Sequence, residues 1–550
     1  MSTPRTTVAD AIGRTLATLG VQHAFGVVGS GNFTVTNALV ENGVPFTAAR
    51  HEMGAACMAD AYARMSDTVS VLSLHQGCGL TNALTGIAEA AKSHTPMVVL
   101  TGDTAIGDRI SNFDIDQDAS AAALGAIPMR VDRAEDAVRT TARAYRVALH
   151  ERATVVLSLP VDVQELTAPA DEVAIPEAAP RPRLAPESVE AAVELLAGAQ
   201  RPLIVAGRGG RAAGPQLRAL AEAAGALLTT SATARGLFVD DDWALDIMGG
   251  FSTEPAADLI RDADVIVVFG AALTTWTTRG GDLVSRATVV QVDDRPEAFG
   301  LHRPVDLAVL GDAAAVAEAM TSGLRDRGAF ATSEHPRYRT AETGKRVRAA
   351  RYWSEQPHTP ERTVGFIDPV ELINEVDRLL PLERVVATDG GNVNCFAGAH
   401  LRVPDEHGYC LPFAFQSIGL GLASAIGAAI AQPDRLPVLG TGDGSLLMTG
   451  VELETAVRLG LGMVIVVFND AAYGAEVHLF ADQTDRHGIV RFPDTDIAAI
   501  ARGYGCEGAT VRSLDDLGPL HAWLAGPRDR PIVLDAKITG AKSWMMARGH

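Results

Sequence analysis

The chain predicts an α/β protein of three consecutive open parallel-sheet domains. Short runs rich in Val, Ile and Leu recur throughout, each followed by a helical pattern, as in buried parallel strands joined by crossover helices. Aromatic residues make up only 5% of the 550 positions, whereas glycine alone supplies 53. That composition suits helices packed closely on parallel sheets better than an all-β fold. Two polar, proline-bearing stretches, Ala168 to Ser188 and Arg325 to Phe366, divide the chain into blocks of ordinary domain size.

The predicted blocks are 1–180, 187–330 and 366–550. In the first, Val69–His75, Pro96–Asp103 and Thr154–Asp162 read as strands. In the second, RPLIVAGRG, DADVIVVFG and ATVVQVDD do so. In the third the strands are RVVATDGG, LPVLGTGDG, GMVIVVFND and PIVLDAKI. Ligands in open α/β sheets gather at the carboxyl ends of the strands.

Charge and cysteine content narrow the function. A net charge of −20 argues against a broad basic surface for nucleic acid. Five cysteines without a CxxC pair fit a reduced, cytoplasmic setting better than a disulfide framework. The opening residues lack an apolar signal core. No uncharged apolar run approaches the ~18–20 residues of a membrane span without dense glycine.

The third block carries the strongest chemical signal. GDGSLLMTGVELETAVRLGLGMVIVVFND places Asp443 and Asp470 at the ends of two strands, joined by a GDGS turn and the amphipathic helix VELETAVRLG. Gly442 and Gly444 admit a tight turn and a close ligand. The N–H groups that follow can receive phosphate oxygens. Two carboxylates with a carbonyl and phosphate oxygens make a hard shell suited to Mg²⁺. A lone GDG is also ordinary strand–turn–helix chemistry; the fixed interval to Asn469-Asp470 favours the metal reading.

This stretch resembles the signature of thiamine-diphosphate-dependent enzymes of the acetolactate synthase, pyruvate decarboxylase and benzoylformate decarboxylase superfamily, and the resemblance covers nearly the whole chain. It implies thiamine diphosphate and Mg²⁺ as cofactors. Asp443, Asp470 and the carbonyl of Ala472 would ligate the metal. Gly29, Asn82, Gly391, Asn392, Ile418, Gly442, Gly444, Ser445, Tyr473 and Gly474 would line the cofactor. The family more often has Asn-Asn where this chain has Asn469-Asp470, which adds negative charge but keeps an oxygen ligand.

In RHEMGAACMADAYAR, Glu52 opens a helix of small residues. By itself it reads as an acid favoured by the helix dipole. The resemblance makes it the glutamate that bonds the cofactor aminopyrimidine and promotes loss of its C2 proton. It also implies that the first block of one chain faces the third block of another, in a homodimer or homotetramer. FQSIGLGLASAIGAAIA would place Ile418 under the cofactor; without the resemblance, this is a small-residue packing helix.

The substrate side is mixed. In AFGVVGSGNF, Gly26, Gly29 and Gly31 read as a flexible turn, and Ser30 falls where benzoylformate decarboxylase has a catalytic serine. In LHQGCGLTNALTGIAEAAKSHTP, His75 falls on that enzyme's catalytic histidine, a site of proton transfer. Glu476 matches the catalytic glutamate of pyruvate and indolepyruvate decarboxylases. Gln117 resembles the active-site glutamine of acetolactate synthase. A solvated helix acid and a loop glutamine are the plain alternatives for those two. The middle block's VAGRGGRAAG is a glycine cluster without an FAD pattern. The C-terminal Trp544 and its neighbouring methionines read as a lid or a packing arm.

The expected function is therefore cleavage or formation of the C–C bond beside a carbonyl: decarboxylation of a 2-keto acid, with carboligation to an aldehyde or ketone as a second outcome. An acetolactate-synthase-like acyltransferase without FAD is the alternative enzyme. A silent cofactor-binding homologue is the alternative from another class; the presence of Glu52, Asp443 and Asp470 argues against it.

Overall fold

The computed structural model describes residues 6–169, 184–484 and 486–543. The first sheet contains β1 (Ala24–Gly26), β2 (Phe46–Ala48), β3 (Ser70–Leu74), β4 (Met97–Asp103), β5 (Ile127–Arg130) and β6 (Thr154–Pro160), in the order β2-β1-β3-β4-β6-β5. The second contains β7 (Pro202–Ala206), β8 (Leu227–Thr230), β9 (Ala244–Ile247), β10 (Val265–Phe269), β11 (Thr288–Asp293) and β12 (Leu307–Leu310), ordered β12-β11-β10-β7-β8-β9. The third contains β13 (Arg384–Thr388), β14 (Tyr409–Cys410), β15 (Leu436–Gly442), β16 (Val464–Asn469), β17 (Glu507–Val511) and β18 (Ile532–Lys537), ordered β14-β13-β15-β16-β18-β17. All neighbours pair in parallel.

The central strands are buried along their full length. Parallel strands covered by helices on both faces need apolar residues at every position, so they read as continuous runs rather than alternating ones. The short edge strands β2, β5, β9, β12, β14 and β17 carry weaker patterns, and the sequence reading did not name them.

The first and third domains share one apolar core. Met58, Tyr62, Leu80 and Ile87 on one side pack with Leu422, Ile426 and Leu453 on the other. Each fully buried side chain of this size is worth about 1.5–3 kcal/mol. The contact is close because small residues line both helices. Gly427, in the helix Gly421–Ala431, has room for no Cβ: one would lie 2.2 Å from the Met58 carbonyl oxygen. The central domain joins through buried arginines. Arg235 donates to the Gly398 carbonyl at 2.7 Å, and Arg211 to the Arg64 carbonyl at 3.1 Å. Most of the proline-bearing stretch after Ala168, and Trp544 with its methionines, lie outside the described residues.

Candidate active site

The ends of β1 and β3 bring Ser30 and His75 together. Ser30 Oγ lies 3.3 Å from His75 Nε2, and His75 Nδ1 lies 2.9 Å from the Gln76 carbonyl oxygen. A carbonyl only accepts, so the neutral ring carries its proton on Nδ1 and Nε2 accepts from the serine hydroxyl. Phe113 packs edge-on against the imidazole, 4.9 Å between ring centres.

The glycines beside Ser30 are there for proximity, which corrects the flexible turn expected from sequence. A Cβ on Gly29 would sit 2.4 Å from His75 Cδ2, and one on Gly31 would sit 1.4 Å from Gln76 Oε1. Gly26 lies inside β1, with no space beside the Ser73 carbonyl. None of the three has a positive φ.

Glu52 is the first residue of the helix Glu52–Ser66 and is half-buried. Its Oε2 accepts from Asn82 Nδ2 at 3.0 Å. Asn82 stands one turn into the helix Cys78–Lys92, which begins just after His75. A Cβ on Gly79 would be 3.0 Å from His75 Cβ and 3.9 Å from Glu52 Oε1. Four of the expected residues (Ser30, His75, Glu52 and Asn82) thus meet at one edge of the first sheet.

Gln117 is placed differently. It is 2% exposed; its Oε1 accepts from the Gly77 N–H and its Nε2 donates to the Gly102 carbonyl, each at 3.0 Å. Both ends of the amide are thus used on backbone, and the residue braces the loop behind His75. The resemblance implies an active-site glutamine that bonds the cofactor adduct. Here both polar ends of the side chain are taken by the Gly77 and Gly102 backbone.

At the third sheet, β15 leads straight into the helix Asp443–Thr449, with Gly442 extended as the N-cap. The expected GDGS turn is therefore the first helical turn, and Glu452–Arg458 forms a separate helix beyond Gly450. A Cβ on Gly444 would lie 2.6 Å from the Tyr473 ring, so this glycine admits an aromatic neighbour. Asp443 is buried, and burial followed by repulsion from Asp470 raises its pKa to about 7. Burial likewise raises Asp470 to about 6, eased by Arg491.

The loop carrying Asp470 is held from behind. Ala471 adopts φ 53°, and its N–H donates to Asn469 Oδ1 at 3.1 Å. Asn469 Nδ2 donates to the buried Asp535 at 2.8 Å, and Lys537 Nζ pairs with Asp535 at 3.0 Å. Tyr473 N–H and Phe492 N–H bond the carbonyls of Val490 and Ala471, at 2.9 and 2.8 Å. The Ala472 N–H reaches Asp470 Oδ1 at 3.2 Å, and a Cβ on Gly474 would lie 2.6 Å from Asp470 Oδ2.

The donor set fits a divalent cation. A buried carboxylate raised by a half-buried neighbour is costly alone, and an oxygen-seeking ion between Asp443 and Asp470 would relieve it. Gly391, at φ 87°, and Asn392 lie beside this pair; the Asn392 amide bonds the Ala541 carbonyl at 3.0 Å and the Ser543 N–H at 2.9 Å. Glu476 stands on the helix Gly474–Leu479 with its side chain exposed.

Ile418 is half-buried in the loop before the helix Gly421–Ala431. That loop hangs on Asp389, which the sequence reading missed. Fully buried, Asp389 accepts from the N–H groups of Gly390, Gly419 and Gly421 at 2.7, 2.8 and 2.9 Å, with the Ser445 hydroxyl also bonded to it. Its signal was a third acid at a strand end, in ATDGG. Glu89, also missed, is 1% exposed and accepts from the N–H groups of Ala414 and Phe415 at 3.0 and 2.7 Å. As a helix-interior acid, Glu89 carried no local signal.

Three α/β domains, with an acid-and-amide cluster on the first and paired strand-end acids on the third, define a cofactor-dependent enzyme of the thiamine pyrophosphate class. Residues 6–121 match the N-terminal TPP binding domain of thiamine pyrophosphate enzymes, 189–320 the central domain and 389–536 the C-terminal TPP binding domain. The chain is 30% identical over 530 residues to the Probable 2-ketoarginine decarboxylase AruI of Pseudomonas aeruginosa, with 93% of this chain and 90% of the relative covered. It is 31% identical over 542 residues to the acetolactate synthase large subunit of Parasynechococcus marenigrum, covering 93% and 84%. A sulfoacetaldehyde acetyltransferase of Alcaligenes xylosoxydans xylosoxydans is 29% identical over 552 residues, covering 93% and 89%. The chain belongs to the thiamine pyrophosphate-dependent enzyme family.

Proposed function

We propose that this enzyme uses thiamine diphosphate and Mg²⁺ to cleave the bond between the carbonyl and carboxylate carbons of a 2-keto acid. The observation that carries this reading is the Ser30–His75 pair, with the accepting Nε2 turned to the serine and Glu52 beside it. When bound, thiamine diphosphate would supply a carbon nucleophile and take up the electron pair left behind as CO₂ departs. Asp443, Asp470 and the Ala472 carbonyl would hold Mg²⁺, and Ser445 and the N–H groups that open the Asp443 helix would receive the diphosphate. Gly29, Gly391, Asn392, Gly442, Gly444, Tyr473 and Gly474 would border the cofactor, and Ile418 would support its rings.

Glu52, oriented by Asn82, would share a proton with the ring nitrogen of the aminopyrimidine. Ser30 bonds the substrate carboxylate or carbonyl without charge repulsion. His75 passes a proton at the carbon that loses CO₂. Glu476, exposed on the helix that follows the Asp470 loop, would serve as a second proton carrier. Gln117 holds the His75 loop in place. An exposed apolar row, Leu447, Met448 and Val451, supports pairing with a second copy of the chain.

A second reading, transfer of the retained acyl unit to an acceptor carbonyl, is supported by the named activities of the relatives. The test is to supply thiamine diphosphate and Mg²⁺ with pyruvate, phenylpyruvate and benzoylformate separately, with and without an aldehyde. CO₂ with free aldehyde is expected. A hydroxyketone or acetohydroxy acid as main product would favour the second reading, and no CO₂ from any of these acids would count against 2-keto acid chemistry.

A further inference from the structure

Glu452 belongs to the third domain, yet its carboxylate lies at the start of the helix that carries Glu52. It is fully buried. Its Oε1 accepts from the His51 N–H at 3.0 Å, and both oxygens share the Arg50 N–H at 3.2 and 3.3 Å. The Thr455 hydroxyl donates to Oε2 at 2.7 Å and orients the group from its own helix. Arg50 directs its guanidinium to Glu454 instead. The bonds to Glu452 therefore come from two backbone N–H groups and one hydroxyl.

The position has been left open for it. Gly54 is the third residue of the Glu52 helix, and a Cβ there would lie 2.4 Å from Glu452 Oε1. The first N–H groups of a helix have no partner within it, and an anion at that end is favoured by the dipole. His51 and Glu52 are adjacent, so fixing the His51 amide fixes where the Glu52 side chain leaves the backbone. The arrangement is reciprocal: Glu89 of the first domain grips Ala414 and Phe415, close before Ile418 of the third.

We propose that Glu452 is the positioning residue for Glu52, locking the activating carboxylate to the domain that holds the diphosphate. This rests on the assignment of Glu52 in the proposed function. Breaking the clamp lets the first turn of the helix open, and Glu52 then loses its aim while the metal and diphosphate contacts remain.

Two variants separate this from general support of the fold. Glu452→Ala removes the acceptor. Gly54→Ala leaves the carboxylate in the chain but pushes it off the helix end. Glu452→Gln retains one acceptor oxygen and serves as the partial rescue. In cofactor-free protein, amide hydrogen exchange over residues 49–55 is expected to quicken about tenfold in Glu452→Ala and Gly54→Ala, the scale of one lost charge-assisted bond. Exchange of the C2 hydrogen of bound thiamine diphosphate in D₂O should slow about tenfold or more, with cofactor affinity changed no more than about threefold. Glu452→Gln should fall between these variants and the parent. Unchanged amide and C2 exchange in both alanine variants would overturn the proposal. So would a uniform rise in exchange across the whole chain with loss of cofactor binding, since that describes a merely structural acid. Glu52→Gln is the control for the underlying assignment. Normal C2 exchange in that variant removes Glu52 from activation, whatever the Glu452 variants do to the amides.

Discussion

The Nδ1 proton of His75 is tied to the Gln76 carbonyl, so Nε2 remains the working nitrogen and faces Ser30. His75→Ala is therefore expected to lower kcat by about 10²–10⁴-fold while cofactor affinity stays near that of the parent. A loss of cofactor binding of similar size would make the residue structural. His400 gives a pH dependence of another kind. Burial, together with the nearby charges of His358 and Arg235, lowers its pKa to about 3, and Asn374 bonds its Nδ1 at 2.7 Å. The unfolded chain holds a proton there below about 6.5, which the folded chain refuses. Its contribution to stability is therefore full above about 6.5 and is lost as pH falls towards 3. Urea unfolding of His400→Gln should show a shallower loss between pH 6.5 and 4; an identical slope would remove His400 from the acid response. The acids of the site were legible because GDG and ND stand at the ends of continuous apolar strands. Gln117 was not, because which way an amide turns depends on the Gly77 and Gly102 backbone groups, brought beside it only by folding.

The helix Gly421–Ala431 touches the helix Glu52–Ser66 at Gly427, with no space for a methyl group beside the Met58 carbonyl. Gly427→Ala should destabilise the chain by about 1–3 kcal/mol, the cost of overpacking a filled contact, and thermal unfolding measures it. A change within ~0.5 kcal/mol, the size of an indifferent surface substitution, would show that the helices can slide apart freely. The small-residue composition of both helices was visible in the sequence, and so was their tendency to pack closely. Their pairing with each other was not visible, since nothing local in SIGLGLASAIG specifies GAACMADA as its partner. The edge strands escaped for a related reason: β2 and β9 are short, and their strand character depends on neighbours already in place.

Three domains with one core between the outer two make cofactor loading a property of the entire chain. Chelation followed by gel filtration should strip thiamine diphosphate and abolish turnover, and Mg²⁺ with fresh cofactor should restore it; retained turnover in metal-free, cofactor-free protein would defeat the functional reading. The three-block order of strands was legible from continuous apolar runs. The bonds that lock the outer blocks together were not, because Glu89 and Glu452 pair with backbone amides of the opposite block, and backbone amides leave no trace in a sequence.

The Gly427 contact also sets limits on how this scaffold can be altered. A backbone-to-backbone seam transmits any added atom as displacement of the helix that starts at Glu52, so random substitutions there will mostly produce inert proteins. The loop from Ala105 to Asp116 carries the exposed Ile106, Ile110 and Phe113, and Phe113 already packs on His75. Mutant libraries seeking a new substrate should therefore concentrate on that loop and leave the seam unchanged.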